Sequence, residues 1–310
     1  MRNAFADEMT KICREDARAV LLSGDIGNRL FDRLKEAAPD RFFNCGVAEA
    51  NMIGLGAGMA LSGWRPVAYT ITPFITTRVL EQIRIDVCYH NVPMIIVGVG
   101  GGLSYAALGP THHALEDIAF LRALPNMAVL CPGDAMEVRA CLRTAMQHDG
   151  PSYIRLGKKG EPVIHAAIPT VMLGRSIDIR PDGEIAILAV GNLLPVALDA
   201  ADKLAAVGIA ASVTSVVSVK PLDTARLRRA FEEQRLVVTV EEHSAVGGFG
   251  SAVAEWMVDR GEAGLPPLLR IAAPDAFYTL SGSQSFARTT LGLDATSIAE
   301  KIIGRLGLRA

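Results

Sequence analysis

The stretch FFNCGVAEANMIGLGAGMA holds a single acid, Glu49, where a β-type run gives way to a helical one, with apolar or small residues on most sides. An acid at such a junction either favours the helix start through the macrodipole or is a working group in a pocket. On the second reading Val47, Ala48 and Ala50 supply an apolar setting, and burial of that kind raises a carboxyl pKa so that the group holds its proton near neutrality. His112, in LGPTHHALED, carries a ring whose charge changes near neutral pH, which suits hydrogen bonding or proton transfer to a substrate oxygen. A loop histidine is also commonly a plain surface group, and its neighbour His113 is assigned no role. Phe74, in TPFITTRVLEQIR, offers either a stacking face or core filler. Asp25, in LLSGDIGN at the expected end of the first strand, is either a helix cap or a group in a ligand-binding crevice. Lys158 in PSYIRLGKKGEP, with Arg155 three residues earlier, is either a functional base or a solvated linker residue, and Lys159 reads as the latter.

The elements that must position these groups are legible as an alternation. Short β-branched runs (RAVLLSGD, PVAYTI, VPMIIVGVG, MAVLCPG) alternate with helical patterns, which is the reading of a parallel α/β sheet. The strands are apolar runs and not alternations, as expected where helices cover both faces. A second series (EIAILAVG, AASVTSVVSV, LVVTVEEH, LLRIAA) follows a polar, proline- and glycine-containing stretch. The expectation is two parallel-sheet α/β domains, over residues 1–165 and 183–310, with a linker near 158–182. The length of 310 residues suits two domains.

Composition narrows the classes. The 31 basic and 33 acidic residues are interspersed and sum to −2, leaving no basic footprint for a nucleic acid. No apolar run approaches the roughly 20 residues of a membrane helix, and MRNAFADEMTKICRED has no export-signal pattern. Five cysteines stand singly, without a C-x-x-C pair. That argues against zinc and against a disulfide framework, and predicts a cytoplasmic protein.

Four segments, in order, resemble the transketolase and deoxyxylulose-phosphate synthase family: CGVAEANMIGLGAGMALSG, TPFITTRVLEQIR, LGPTHHALEDIAFLRALPNMAVLCPGD and VEEHSAVGGFGSAVAE. The resemblance runs from about residue 5 to about residue 300. It implies a pyrimidine-binding domain of a thiamine-diphosphate enzyme followed by a transketolase C-terminal domain. It also implies a role for each candidate. Glu49 matches the glutamate that bonds a ring nitrogen of the cofactor's aminopyrimidine and favours the tautomer that takes the C2 proton. Phe74 matches the aromatic that stacks on that ring. Asp25 and Ile26 match a loop close to the cofactor. His112 matches a histidine on the donor carbonyl or acceptor aldehyde oxygen, and Lys158, assisted by Arg155, matches a phosphate-holding base.

The family's diphosphate-metal motif, G-D-G followed some thirty residues later by asparagine, is missing. The resemblance therefore implies that Mg²⁺ (or Ca²⁺) and the diphosphate are held by a separate N-terminal transketolase subunit, in an α2β2 heterotetramer. Two positions depart from common transketolases: Gly100 replaces a histidine and Leu108 an acid. A site with leucine there does not select the usual sugar hydroxyl, so an unusual sugar or a non-sugar aldehyde is expected. The implied reaction is two-carbon ketol transfer between a ketose (phosphate) and an aldehyde. Two alternatives stand beside it: the β-subunit of a 2-oxoacid dehydrogenase or deoxyxylulose-phosphate-synthase-like enzyme, and a non-catalytic assembly or regulatory subunit.

Overall fold

The computed structural model describes residues 1–27 and 29–308. Twelve strands appear in chain order: β1 (Ala19–Ser23), β2 (Phe42–Asn44), β3 (Arg65–Ile71), β4 (Ile95–Val99), β5 (Ala128–Leu130), β6 (Ser152–Leu156), β7 (Ile177–Arg180), β8 (Ile185–Ala189), β9 (Ala211–Ser215), β10 (Ser218–Lys220), β11 (Leu236–Ser244) and β12 (Leu268–Ala273). They form a seven-stranded sheet in the order β10-β5-β6-β4-β3-β1-β2 and a five-stranded sheet in the order β12-β11-β8-β9-β7. The runs AVLLS, IIVGV and IAILA are buried at every position. Helices covering both faces of a parallel sheet require such strands.

Two features depart from the purely parallel expectation. Each sheet carries one antiparallel edge strand: β10 on β5, and β7 on β9. β7 lies inside the expected linker, and β10, from the second half of the chain, joins the sheet of the first half. Both are three or four residues long. An edge strand bonds through only one side, so it needs neither a long apolar run nor a helical crossover.

The parallel strands β6, β4, β3, β1 and β2 lie side by side, so their carboxyl ends form one rim. In an open α/β sheet ligands bind along that rim.

Candidate active site

Every predicted residue except Arg155 follows one of those strand ends. Asp25 follows β1, Glu49 follows β2, Phe74 follows β3, the loop bearing His112 follows β4, and Lys158 follows β6. At the β1 and β2 end the backbone is pinned by Asn44, whose amide donates to Asp25 Oδ1 at 2.8 Å while its oxygen accepts from Gly46 N at 2.9 Å. Asp25 has φ +55 and no helix begins directly after it, so it is a loop residue and not a cap. Ile26, beside it, accepts from Ser23 Oγ through its carbonyl at 2.9 Å.

Glu49 is the first residue of the helix Glu49–Leu61 and is 3 % exposed. Its expected apolar neighbours do not enclose it: Val47 is 75 % exposed, and Ala48 and Ala50 face outward as well. Inside the chain the carboxylate is met by Arg78, whose Nη1 donates to Oε2 at 3.0 Å. The same guanidinium lies over the Phe74 ring, 4.1 Å from its centroid. The Phe74 ring meets His112 edge-on at 5.2 Å, His112 meets Tyr105 at 6.3 Å, and Lys158 Nζ lies 4.7 Å from the centre of the Tyr105 ring. Glu49, Phe74, His112 and Lys158 thus belong to one continuous string of contacts, joined by Arg78 and Tyr105.

Thr111 Oγ1 lies 2.9 Å from His112 Nδ1. Burial, and then the neighbouring His113, push the His112 imidazole below its ordinary value. A neutral ring is favoured at pH 7, and it can donate from one nitrogen while accepting at the other. Tyr105 is half-buried, and burial raises its phenol against the pull of Arg2 beside it. Arg2, Arg29 and Arg33 together line an open cavity of about 460 Å³.

Arg155 does not join this string. It is 4 % exposed, in the middle of β6, and its Nε donates to Asp117 Oδ2 at 2.7 Å. Its Nη2 is shared among Asp117 Oδ1, the Ala114 carbonyl and the Glu242 carbonyl. A guanidinium buried in this way and bonded inward through both Nε and Nη2 is a structural group, which corrects the phosphate-holding role expected for it. Arg78 and Tyr105, conversely, were missed. Arg78 stands four residues after Phe74, one helical turn on, and that spacing was a usable signal.

The donor set fits half of a thiamine cofactor. A flat, nitrogen-bearing cation already hydrogen-bonds Glu49 and lies on Phe74, so a flat aminopyrimidine finds the same acceptor and the same face. Among the described residues no group of three or more His, Cys, Asp or Glu side chains is placed to hold a metal ion.

Residues 1–161 match the family model for the transketolase pyrimidine-binding domain, and residues 174–298 that for the transketolase C-terminal domain. The chain belongs to the transketolase family. It is 37 % identical over 262 residues to an apulose-4-phosphate transketolase subunit of Actinobacillus succinogenes, covering 84 % of each chain. It is 35 % identical over 299 residues to 6-deoxy-6-sulfo-D-fructose transketolase subunit SqwH of Clostridium sp. (strain MSTE9), covering 96 % of this chain and 92 % of that one. A solved structure of a split-gene transketolase, an inactive β4 tetramer, superposes with a TM-score of 0.88 at 33 % identity, over 100 % of this chain and 98 % of that one. Against the 1-deoxy-D-xylulose-5-phosphate synthase of Synechococcus sp. (strain JA-2-3B'a(2-13)), 37 % identical, the chain spans about half the relative's length, 47 %. Within the family it is a transketolase-type transferase subunit that acts with a partner subunit, in line with the resemblance of its motifs.

Proposed function

We propose that this subunit, paired with a separate N-terminal subunit, moves a two-carbon ketol unit from a ketose phosphate to an aldehyde, using thiamine diphosphate. The donor becomes an aldose two carbons shorter and the acceptor a ketose two carbons longer. The observation that carries the reading is the buried Glu49 carboxylate joined through Arg78 to the Phe74 face at the rim of the sheet.

When bound, thiamine diphosphate supplies the carbon nucleophile and electron sink that such bond cleavage needs. Glu49 bonds a ring nitrogen of its aminopyrimidine, and Phe74 stacks on that ring, adding about 1 kcal/mol beyond burial. His112 binds the carbonyl oxygen of donor or acceptor and holds or releases a proton there. Lys158, on the Tyr105 ring, pairs with the substrate phosphate, and the neighbouring cavity lined by Arg2, Arg29 and Arg33 adds positive field. The partner subunit holds the diphosphate and Mg²⁺ (or Ca²⁺). Phe43, Val47, Leu55 and Leu61, all 44 % or more exposed around the Glu49 helix, give that subunit an apolar face to cover.

The complex is proposed as an α2β2 heterotetramer. The relative solved as an inactive β4 tetramer suggests that this chain, too, pairs with itself and is inactive when its partner is missing. The relatives acting on apulose 4-phosphate and 6-deoxy-6-sulfo-D-fructose support an uncommon sugar here, as Gly100 and Leu108 do. Among the described residues no helix is long and apolar enough to cross a membrane, and the five free thiols suit a reducing cytoplasm.

The test is reconstitution with the partner subunit and assay with hydroxypyruvate or a ketose phosphate against pyruvate. A lengthened ketose from the first two, and a loss of several orders of magnitude for Glu49→Ala, are expected. Turnover of pyruvate alone would favour the synthase or dehydrogenase reading. Full activity in Glu49→Ala would point to an assembly subunit.

A further inference from the structure

The substrate loop is anchored by the other domain. Strand β11 runs four residues past its last pairing with β8, at Val240, and those residues are Glu241, Glu242, His243 and Ser244. Glu241 stays at home: its two carboxylate oxygens accept from Phe249 N and Gly250 N, each at 2.7 Å, and so cap the helix Phe249–Arg260. The next three residues reach across to the pyrimidine-binding domain. Ser244 N donates to Leu115 O at 2.7 Å, and His243 Nε2 accepts from Ala119 N at 3.3 Å.

Glu242 is 0 % exposed, and its Oε1 accepts from Leu103 N at 2.6 Å and from Gln284 Nε2 at 2.8 Å, with Asn192 Nδ2 at 3.4 Å. Its Oε2 accepts from Arg288 Nε. Beside it Gly102 has φ +64, and a Cβ there would lie 2.4 Å from Glu242 Oε1, so the close approach requires glycine.

Gly102 and Ala114 exchange backbone hydrogen bonds of 2.9 Å in both directions, which closes residues 102–114 into a loop. Tyr105 and His112 both lie on it, the latter two residues before Ala114. Its two feet are gripped from the second domain, Leu103 by Glu242 and Leu115 by Ser244. Inside the loop the buried His113 adds a third hold, with Nε2 3.2 Å from Ala106 O and its ring 5.7 Å from that of Tyr278.

We infer that Glu242 is a positioning residue: by fixing the foot of the 102–114 loop from across the domain boundary, it sets His112 against the substrate. This gives the C-terminal domain a part in the reaction, and it rests on the proposed role of His112. Glu49, Phe74 and Lys158 follow other strands and are anchored apart from the clamp, Phe74 and Lys158 touching its loop only through the His112 and Tyr105 rings. A misplacement of about 1 Å far from the chemistry can lower a rate about 100-fold.

In the complex reconstituted with the partner subunit, Glu242→Ala is expected to lower kcat/KM for ketol transfer about 100-fold. Thiamine diphosphate affinity should stay within about threefold, because the residues that meet its ring are held elsewhere. In a His112→Ala background the same substitution should add less than about threefold, since its effect passes through that side chain. In the free chain the Leu103 amide should exchange faster with solvent. Multiplying effects of the two substitutions, a parallel loss of cofactor affinity, or unchanged Leu103 protection would each overturn the inference. If His112→Ala alone leaves activity intact, the functional reading fails, while Leu103 exchange still judges the clamp. Should Glu242→Ala not fold, Gln284→Ala weakens the same carboxylate without stranding a charge, and the same cycle with His112→Ala decides.

Discussion

Replacing Arg155 by methionine separates a structural role from a substrate-binding one. The Arg155 and Asp117 side chains are 3 % and 1 % exposed and bonded at 2.7 Å, with the Tyr153 hydroxyl donating to the same Asp117 oxygen at 2.6 Å. Removing one member of a buried pair leaves the other charge uncompensated and costs about 3–5 kcal/mol. Neither group is screened by solvent here, so no discount applies. For a domain of this size each kcal/mol moves the midpoint by about 2–4 °C, so a fall of roughly 6–20 °C is expected in thermal unfolding. Changing Asp117 to leucine as well should recover part of that loss. The pair also sets an acid limit. Burial pushes the Asp117 carboxyl up, but Arg155 and the Tyr153 hydroxyl outweigh it and hold it below its ordinary 3.8. A depressed acid contributes stability above its unfolded pKa and loses that contribution as pH falls through the folded value. Wild type should therefore lose the contribution below about pH 4, and the Arg155→Met midpoint should depend less on acid. A stable Arg155→Met protein with a selectively raised KM for phosphorylated sugars would refute this reasoning and restore Arg155 to the phosphate site.

Two further outcomes follow from the site. Arg78 occupies both the Glu49 oxygen and the Phe74 face, so a flat ring must displace it. Its pairing is half-exposed and contributes about 0.2–1 kcal/mol, and its place over Phe74 adds about 0.5–1 kcal/mol. Arg78→Ala should thus tighten thiamine diphosphate binding to the reconstituted complex about 3- to 30-fold by titration calorimetry, and weaker binding would show that Arg78 supports the cofactor. Leu108, exposed on the substrate loop four residues before His112, has no group to bond a hydroxyl. Leu108→Asp should raise the kcat/KM ratio for a 2-hydroxyaldehyde over its 2-deoxy analogue by about 10- to 100-fold, and an unmoved ratio would place residue 108 outside the acceptor site.

What the sequence disclosed and what it hid divide along a physical line. Glu49, Phe74, His112 and Lys158 sit at strand ends, where residue type and local motif coincide with position on the rim. Arg155 was assigned to the phosphate because it lies three residues before Lys158 and a guanidinium pairs well with phosphate oxygens. Yet SYIRL is a five-residue buried strand, and a charge inside such a strand is almost always paired internally. Its partner, Asp117, lies 38 residues away, beyond any local pattern. The edge strand β7 was illegible for a different reason: at four residues it carries too little periodicity to stand out from a linker, whereas β10 was read with β9 as the single run AASVTSVVSV, which the fold divides between the two sheets. The second domain's hold on the substrate loop was hidden as well, since VEEH shows two acids but not that they face opposite ways.

That alternation explains why one short motif serves two domains. Successive side chains on a strand point to opposite faces, so adjacent glutamates cannot both turn toward the same neighbour. Glu241 closes the helix of its own domain, and Glu242 is thereby committed to the loop of the other. Exchanging the two functions would require shifting β11 by one residue, which would also turn Leu236, Val237, Val238 and Val240, paired with β8 and β12, to the opposite faces. The register that builds the second core runs to Val240, and the ladder to β12 shifts before Ser244, so Glu242 leaves the sheet directly after the core-building stretch. Core packing of the C-terminal domain and placement of His112 are consequences of one strand alignment, so a substitution that shifts β11 should disturb substrate turnover even where the Glu49 end of the site is untouched.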